Sequence, residues 1–189
     1  MQKLTKPVGF WLCATIVILG LIGCDRFMNT SGDVVERVSD GDTLVLKDAS
    51  GKNFTVRFAC VDAPEIAHSN KEKQSRRSSD RNQFTWGVKA QERLQELVQQ
   101  GGDRVTLNIT DSDRYGRKIA EVRLKDGTFV QQVLLQEGLA KVYRPYLNKC
   151  PSKDLVQQAE TEAKQERIGV WSDTKFVNPW EYRSLYKNK

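Results

Sequence analysis

The chain has 189 residues, with 30 lysines and arginines, 24 aspartates and glutamates, and one histidine, His68, which gives a formal net charge of +6. A single histidine excludes most hydrolytic mechanisms that depend on histidine, and no pattern supports a Ser-His-Asp triad. The positive charge favours polyanionic partners such as nucleic acid, although anionic membrane surfaces or simple solubility explain many basic proteins equally well.

Residues 1–23 have the layout of an export signal, because two lysines precede an uncharged apolar run at Val8–Ile22. This run is shorter than the roughly 20 residues that a spanning helix needs. Its ending, Leu21-Ile22-Gly23-Cys24, resembles the lipobox of bacterial lipoproteins, which implies a lipid anchor at Cys24. The alternative is an uncleaved anchor helix. Both interpretations predict an exported protein that is held at the cell envelope.

The rest of the chain is expected to form one domain. Without residues 1–23, 28 basic and 24 acidic residues remain, so 166 residues keep a net charge of +4. No repeat or long low-complexity stretch divides them, and their number is typical of a single domain. We expect a tether at 24–33, the domain at 34–172, and a C-terminal extension at 173–189 that packs on or near it.

Two cysteines, Cys60 and Cys150, remain for an oxidising compartment. They form either a disulfide or two separate thiols, since a buried free thiol is also ordinary in an apolar strand such as the one that holds Cys60. Two cysteines without a histidine cluster do not supply four zinc ligands, so a zinc site is excluded.

β-rich stretches begin the domain. Strands are predicted at Val34–Val38, Thr43–Leu46 and Phe54–Phe58, separated by the turn sequences Asp40-Gly41 and Asp48-Ala49-Ser50-Gly51. This order predicts an antiparallel meander.

Residues 66–86 are basic and polar, with almost no apolar residues, and they predict an exposed loop. Its basic residues are Lys71, Lys73, Arg76, Arg77 and Arg81. Three roles stay open for this loop: contact with substrate, contact with anionic lipid, or solvation alone.

Helices and strands alternate in the second half. The predicted elements are a helix at Val88–Gln99 ended by Gly101-Gly102, strands at Arg104–Thr110 and Lys118–Leu124, a short helix at Thr128–Glu137, a strand at Leu139–Tyr143, and a last helix that Ser152 caps and Gly169 ends. Val88 is expected on the inward face of its helix. Short strands with inserted helices are compatible with a closed OB-type barrel in a mainly β, α+β fold, although periodicity alone does not choose it over other α+β folds.

Carboxylates and an arginine gather at two strand ends. Asp40-Gly41-Asp42-Thr43 places two carboxylates at a turn, and Arg57, Asp62 and Glu65 surround the end of another strand. Because side chains alternate along a strand, Arg57 and Asp62 meet only if the chain bends, and the turn at Pro64 favours such a bend. Carboxylate and carbonyl oxygens suit a hard cation such as calcium better than zinc or copper.

Two later segments combine basic and aromatic side chains. Asp113-Arg114-Tyr115-Gly116-Arg117 offers guanidiniums that match phosphate oxygens, beside a ring that can stack on a nucleotide. Lys141-Val142-Tyr143-Arg144-Pro145-Tyr146 repeats this mixture. Each segment alone is more often a turn or a strand edge than a site.

The joint order of these motifs resembles the staphylococcal nuclease family. The resemblance rests on Val38–Thr43, Val56–Glu65, Asp113–Arg117 and Glu137–Val142, followed by the closing helix and Gly169-Val170-Trp171-Ser172, and it covers about Val34–Ser172. It implies a five-stranded OB-type barrel with about three helices and the site on one face of the barrel.

The resemblance also implies a Ca²⁺ site. Asp42 and Asp62 would bind the ion directly, with the backbone carbonyl of Ala63 as a third oxygen and Asp40 behind these ligands. The family often has Thr where this chain has Ala63, but the backbone oxygen is the ligand there. Glu65 would hold the attacking water, either as a general base or only to position it.

Substrate contacts are implied in the same way. Arg57 and Arg117 would grip the scissile phosphate, and Arg114, where the family has Lys, would contact phosphate too. The nucleotide pocket would be bounded by Tyr115, Tyr143 and Tyr146, although the Tyr143–Tyr146 spacing departs from that of the family.

The implied activity is that of a metal-dependent nuclease, a calcium-dependent phosphodiesterase that cleaves DNA and RNA with weak sequence specificity and leaves 3′-phosphate products. No obligate protein partner is inferred. One alternative is a non-catalytic nucleic-acid-binding module at the cell envelope. Another is an envelope lipoprotein whose basic loop binds anionic lipid or a protein.

Overall fold

Strands are the first elements along the part of the chain that the computed structural model describes, residues 32–187. They are β1 (Asp33–Asp40), β2 (Thr43–Lys47), β3 (Asn53–Phe58), β4 (Val61–Asp62), β5 (Arg104–Ser112), β6 (Lys118–Leu124) and β7 (Lys141–Val142). Five of these strands close a barrel in the order β1-β2-β3-β6-β5. Only β3 and β6 pair in parallel. The predicted OB-type α+β barrel is confirmed.

The helices of residues 32–187 lie between and after these strands. They are α1 (Asn70–Lys73), α2 (Ser78–Gln100), α3 (Val130–Gln136), α4 (Lys153–Gln165) and α5 (Pro179–Lys187), with 3₁₀ turns at Arg144–Lys149 and Gly169–Ser172. None of the helices in this range is both long and apolar enough to cross a membrane.

The core forms because alternate residues of each barrel strand point inward. Its buried side chains include Leu44, Leu46, Val56, Phe58, Ala120 and Val122, with Ala90, Leu94 and Leu97 of α2 packed against them. Val88 was expected inward, but 43% of it is exposed, so the prediction for this residue was wrong. Arg57 lies between the inward residues Val56 and Phe58, and its side chain therefore points out of the barrel.

The prediction of a loop at 66–86 was wrong for Asn70–Lys73 and from Ser78 onward, which are helical, whereas 66–69 and 74–77 lie outside helices. Ser69 accepts a hydrogen bond from the Glu72 amide, while the Glu72 side chain accepts from the Ser69 amide, and this capping box begins α1. Helix α2 begins at Ser78, ten residues before the predicted start at Val88. Its first turns were missed because they bury polar rather than apolar side chains, among them Asp80 and Gln83.

The predicted strand at Leu139–Tyr143 is shorter than expected and lies outside the barrel. Only Lys141 and Val142 are extended, and they pair with β4 in a two-stranded sheet that sets Lys141 opposite Asp62. The predicted cap on the last helix was also wrong. Ser152 precedes α4, but its side chain makes no capping bond and its hydroxyl instead donates to Glu121 at 3.1 Å.

A disulfide joins Cys60 to Cys150, whose Cα atoms are 5.8 Å apart, so the first of the two alternatives for these cysteines is realised. It ties the segment between β3 and β4 to the segment before α4. The predicted export signal, most of the tether and the lipid-anchor residue Cys24 lie outside the described residues.

Candidate active site

The turn between β1 and β2 positions the first two carboxylates. Asp42 donates its amide to Asp40 at 3.0 Å, and its own carboxylate accepts from the Thr43 hydroxyl at 3.0 Å and from the Ala63 amide at 2.8 Å. Gly41 lies between them at a close approach of elements, because a Cβ there would stand 2.6 Å from the Cβ of Ala90. Asp42 is only 2% exposed, and these bonds fix its orientation.

Arg57 connects the two predicted metal ligands. One terminal nitrogen donates to Asp42 at 2.8 Å and the other donates to Asp62 at 2.5 Å. The chain bend that this requires is present, but it lies at Cys60, whose φ of 75° is in the left-handed region, rather than at Pro64. Burial opposes the charge of Arg57, but the Asp42 and Asp62 carboxylates outweigh it and raise the pKa of the guanidinium.

Glu65 is held between two helices. Its amide donates to the side chain of Gln83 in α2 at 3.2 Å, and its carboxylate accepts from Arg183 in α5 at 2.5 Å. Arg183 also donates to both carboxylate oxygens of Asp62, at 3.1 Å and 2.5 Å. Sequence reasoning missed Arg183 because the segment after Ser172 lies outside the motifs. The aromatic spacing of Trp180, Tyr182 and Tyr186 was the available signal that this segment packs on the domain.

Negative charge exceeds positive charge in this cluster. Four carboxylates, those of Asp40, Asp42, Asp62 and Glu65, face the two guanidiniums of Arg57 and Arg183. Burial, followed by the neighbouring Asp42 carboxylate, raises the pKa of Asp40 to about 7. Hard oxygen donors that carry more negative charge than the two guanidiniums neutralise are the donor set that a divalent cation such as calcium prefers.

The oxygens are nevertheless held by guanidiniums in this structure. Across residues 32–187, no group of three or more His, Cys, Asp or Glu side chains is arranged so that it could hold a metal ion. The residues fit calcium by charge and ligand type, but their present arrangement is that of an ion-pair network.

Arg117 lies beside this cluster rather than within it. It follows the turn between β5 and β6, where Asp113 accepts from its Nε at 2.7 Å and from its amide at 3.0 Å. Ile119, two residues further on, pairs with Arg57 across β3 and β6, so Arg117 lies just before the strand that neighbours the strand of Arg57. No hydrogen bond or ion pair of the described chain links Arg117 to Asp42 or Asp62.

The same turn exposes a ring and a second guanidinium. Tyr115 is 69% exposed, and Arg114 lies 4.8 Å from its ring centroid while donating to its hydroxyl at 2.6 Å. Gly116 has a φ of 80°, which lets the turn close. The turn thus presents a guanidinium and an aromatic ring to solvent, which are the kinds of group that can bind phosphate and stack on a base.

The other two tyrosines of the predicted nucleotide pocket, Tyr143 and Tyr146, lie together near β7. The rings of Tyr143 and Tyr146 are 5.6 Å apart, and Tyr143 also packs at 5.7 Å against Trp180 of α5. The Tyr143 amide donates to the carbonyl of Cys60 at 2.8 Å, two residues before Asp62. Tyr143, with Tyr146 packed against it, therefore lies beside the segment that carries Asp62, whereas Tyr115 lies on a separate turn.

A closed OB-type barrel that carries carboxylates, arginines and tyrosines in this arrangement has the fold and the side chains of the OB-type nucleases. Residues 55–173 match the family described as staphylococcal nuclease homologue. The chain belongs to this family.

Named relatives agree with this assignment. The chain is 30% identical over 183 residues to the micrococcal nuclease of Shigella flexneri, covering 93% of this chain and 92% of that protein. It is 36% identical over 149 residues to an uncharacterized endonuclease of Escherichia coli O157:H7, covering 79% and 82%. It is 31% identical over 163 residues to endonuclease YhcR of Bacillus subtilis (strain 168), covering 82% of this chain but only 13% of that protein. The family and these relatives support a nuclease function, that of a hydrolase acting on nucleic acids.

Proposed function

We propose that this chain hydrolyses phosphodiester bonds of DNA and RNA in a calcium-dependent reaction with weak sequence specificity and 3′-phosphate products. The observation that carries the proposal is Arg57, which bonds to Asp42 and Asp62 at once, with Glu65 three residues beyond Asp62. These groups are an anion-binding guanidinium, two hard-cation ligands and a base, at one end of the barrel.

The arginines bind the phosphate and stabilise the charge that develops on it. Arg57 has five N–H donors, and its bonds to Asp42 and Asp62 leave others to meet a phosphate oxygen. Arg117 is held by Asp113 through Nε, which leaves its terminal nitrogens to bind a second phosphate oxygen. Arg114 and Tyr115 extend the binding surface, and Tyr143 and Tyr146 flank the nucleotide on the other side.

Glu65 acts on the attacking water. Its half-buried carboxylate either accepts the proton of the water or orients the water for in-line attack on phosphorus. Asp42, Asp62 and the carbonyl of Ala63 would hold Ca²⁺, which offsets negative charge in the transition state when bound. Asp40 fixes the Asp42 backbone through its bond to the amide.

The test is cleavage of single-stranded DNA and RNA by the full chain in detergent, with calcium and with a calcium chelator. Arg57→Ala and Glu65→Gln should each lower the rate by about 10²- to 10³-fold, the range for losing a group that stabilises the transition state. Arg123→Ala and Glu166→Gln, which lie away from the cluster, are the matched controls and should keep the rate. Cleavage that persists in chelator, or in both site variants, would contradict the proposal.

The contact of Arg183 with Asp62 and Glu65 favours a second function, that of a non-catalytic nucleic-acid-binding module, because it leaves the carboxylates occupied by a guanidinium. The same assay separates the two functions. A chain that binds single-stranded DNA, with salt-dependent affinity, but cleaves it under no divalent cation is a binding module.

Export and lipid anchoring at Cys24 are part of the proposed function and are supported by the sequence of residues 1–24. The chain would then meet nucleic acid outside the cytoplasm. Fractionation of cells that express the wild type or Cys24→Ser tests this point, and equal membrane association of both would contradict the lipid anchor.

A further inference from the structure

The C-terminal helix α5 covers the carboxylates of the candidate active site. Arg183 donates from both terminal nitrogens to the two oxygens of Asp62, and one of these nitrogens also donates to Glu65 at 2.5 Å. The Asp62 side chain is 1% exposed, and both Arg57 and Arg183 donate to its carboxylate. The guanidinium of Arg183 thus supplies positive charge to the carboxylates of Asp62 and Glu65.

A guanidinium and a divalent cation compete for such oxygens. Calcium binds carboxylate oxygens at about 2.3–2.6 Å and must be close to both its ligands. Asp62 presents one oxygen to both arginines and the other to Arg183. Adding a third cation at this carboxylate while Arg57 and Arg183 stay in place brings like charges together at close range, which is strongly unfavourable in a buried site.

Contacts on either side of Arg183 hold α5 in this position. Trp180 packs on Tyr143 with ring centroids 5.7 Å apart. Tyr182 packs edge-on against Phe84 and donates to Asp80 at 3.2 Å. These contacts involve neither Asp62 nor Glu65, so α5 has its own docking surface on the domain. The Trp180 contact also brings α5 against Tyr143, a residue of the proposed nucleotide pocket.

We propose that α5 is a cover of the metal-free site: Arg183 takes the place of the cation at Asp62, and a divalent cation binds only when Arg183 leaves that carboxylate. The proposal rests on the calcium site of the proposed function. The effect is reciprocal by thermodynamic linkage. The factor by which docking of the helix weakens calcium binding equals the factor by which bound calcium weakens docking of the helix. Arg183 is therefore a residue that sets metal affinity, and opening of α5 also uncovers Tyr143 for the nucleotide.

The experiment measures calcium binding by titration calorimetry on the full chain in detergent, without substrate. Arg183→Gln should bind calcium at least ~5-fold more tightly than the wild type, the lower end of typical coupling between sites. Trp180→Ala, which loosens α5 but leaves every carboxylate and arginine in place, should tighten binding in the same direction. Arg123→Gln is the matched control and should bind as the wild type does.

Hydrogen exchange of residues 179–187 gives a second readout. Calcium should speed exchange of this segment in the wild type, and Asp62→Asn should speed it without calcium, because it removes the main partner of Arg183. If Arg183→Gln binds calcium as weakly as the wild type or more weakly, or if calcium slows exchange in 179–187, the cover is overturned. Arg183 would then be a bystander or part of the loaded site.

The two proposals fail separately. If the variants show the expected order of calcium affinities but no chain cleaves nucleic acid, the proposed function fails and the cover stands. If the wild type cleaves in calcium but Arg183→Gln and Trp180→Ala leave the affinity unchanged, the cover fails and the nuclease stands. Absence of calcium binding in every variant overturns the cover whatever the cleavage result.

Discussion

Gly87 of helix α2 lies directly against the backbone carbonyl of Glu65. A Cβ at Gly87 would overlap the Glu65 carbonyl oxygen and would also stand 2.9 Å from the carbonyl oxygen of Pro64. These obstacles are backbone atoms rather than flexible side chains, so relief requires the helix or the Glu65 segment to move. The close contact at Gly87 therefore fixes the position of the Glu65 backbone relative to helix α2.

Gly87→Ala should lower both stability and activity. In an unconstrained helix this change stabilises by roughly 1 kcal/mol, because alanine has the higher helix propensity. Here overlap with the Glu65 backbone should reverse the sign and cost about 1–3 kcal/mol, as overpacking does. Urea unfolding and the cleavage rate check the prediction. Val88→Ala, at the exposed neighbour, is the control, and an unchanged or more stable Gly87→Ala would show that the two segments are not in close contact.

Arg57→Ala should destabilise the metal-free protein. Removing Arg57 leaves the buried carboxylates of Asp42 and Asp62 without their common partner. Breaking a buried ion pair by removing one partner costs about 3–5 kcal/mol. Denaturant unfolding in chelator measures the loss, and calcium should restore part of it in the variant, since a ligand that binds only the folded state stabilises it. A variant as stable as the wild type in chelator would contradict the role given to Arg57.

The barrel could be predicted from the sequence because its strands alternate and its turns carry turn residues, as in Thr43–Lys47 and the Asp113–Arg117 turn. The contact between Arg57 and Asp62 was predicted only on the condition that the chain bends. The bend lies at Cys60, whose positive φ is not indicated by any sequence pattern. Arg183 could not be found, because its partner Asp62 is 121 residues away in sequence. Such a contact depends on how two packed elements fit, which periodicity does not encode.

Reduction of the Cys60–Cys150 disulfide should destabilise the domain and loosen the site. The bond closes a loop across 90 positions of sequence and holds the chain two residues before Asp62. Loss of a native disulfide from a small domain costs about 2–5 kcal/mol. Thermal unfolding with and without reductant measures this. The Cys60→Ser, Cys150→Ser double variant should already have the lower midpoint and show no further response to reductant, and a wild type insensitive to reductant would contradict the prediction.

Acid should release α5 through Asp80. Burial works to raise the pKa of this carboxyl, but hydrogen bonds from Ser75, Tyr186 and Tyr182 outweigh burial and hold the pKa below its usual value. A carboxyl with a folded-state pKa below the unfolded value adds stability above the unfolded value, and that stability is lost as pH falls through the folded pKa. The free energy of unfolding should therefore fall from about pH 4 downward, through the unfolded pKa of Asp of about 3.9. Asp80→Asn should lower stability at pH 7 and flatten the fall in acid, whereas Asp154→Asn, at an exposed position in the first turn of α4, should change both much less. Equal acid sensitivity of Asp80→Asn and the wild type would remove Asp80 from the docking of the helix.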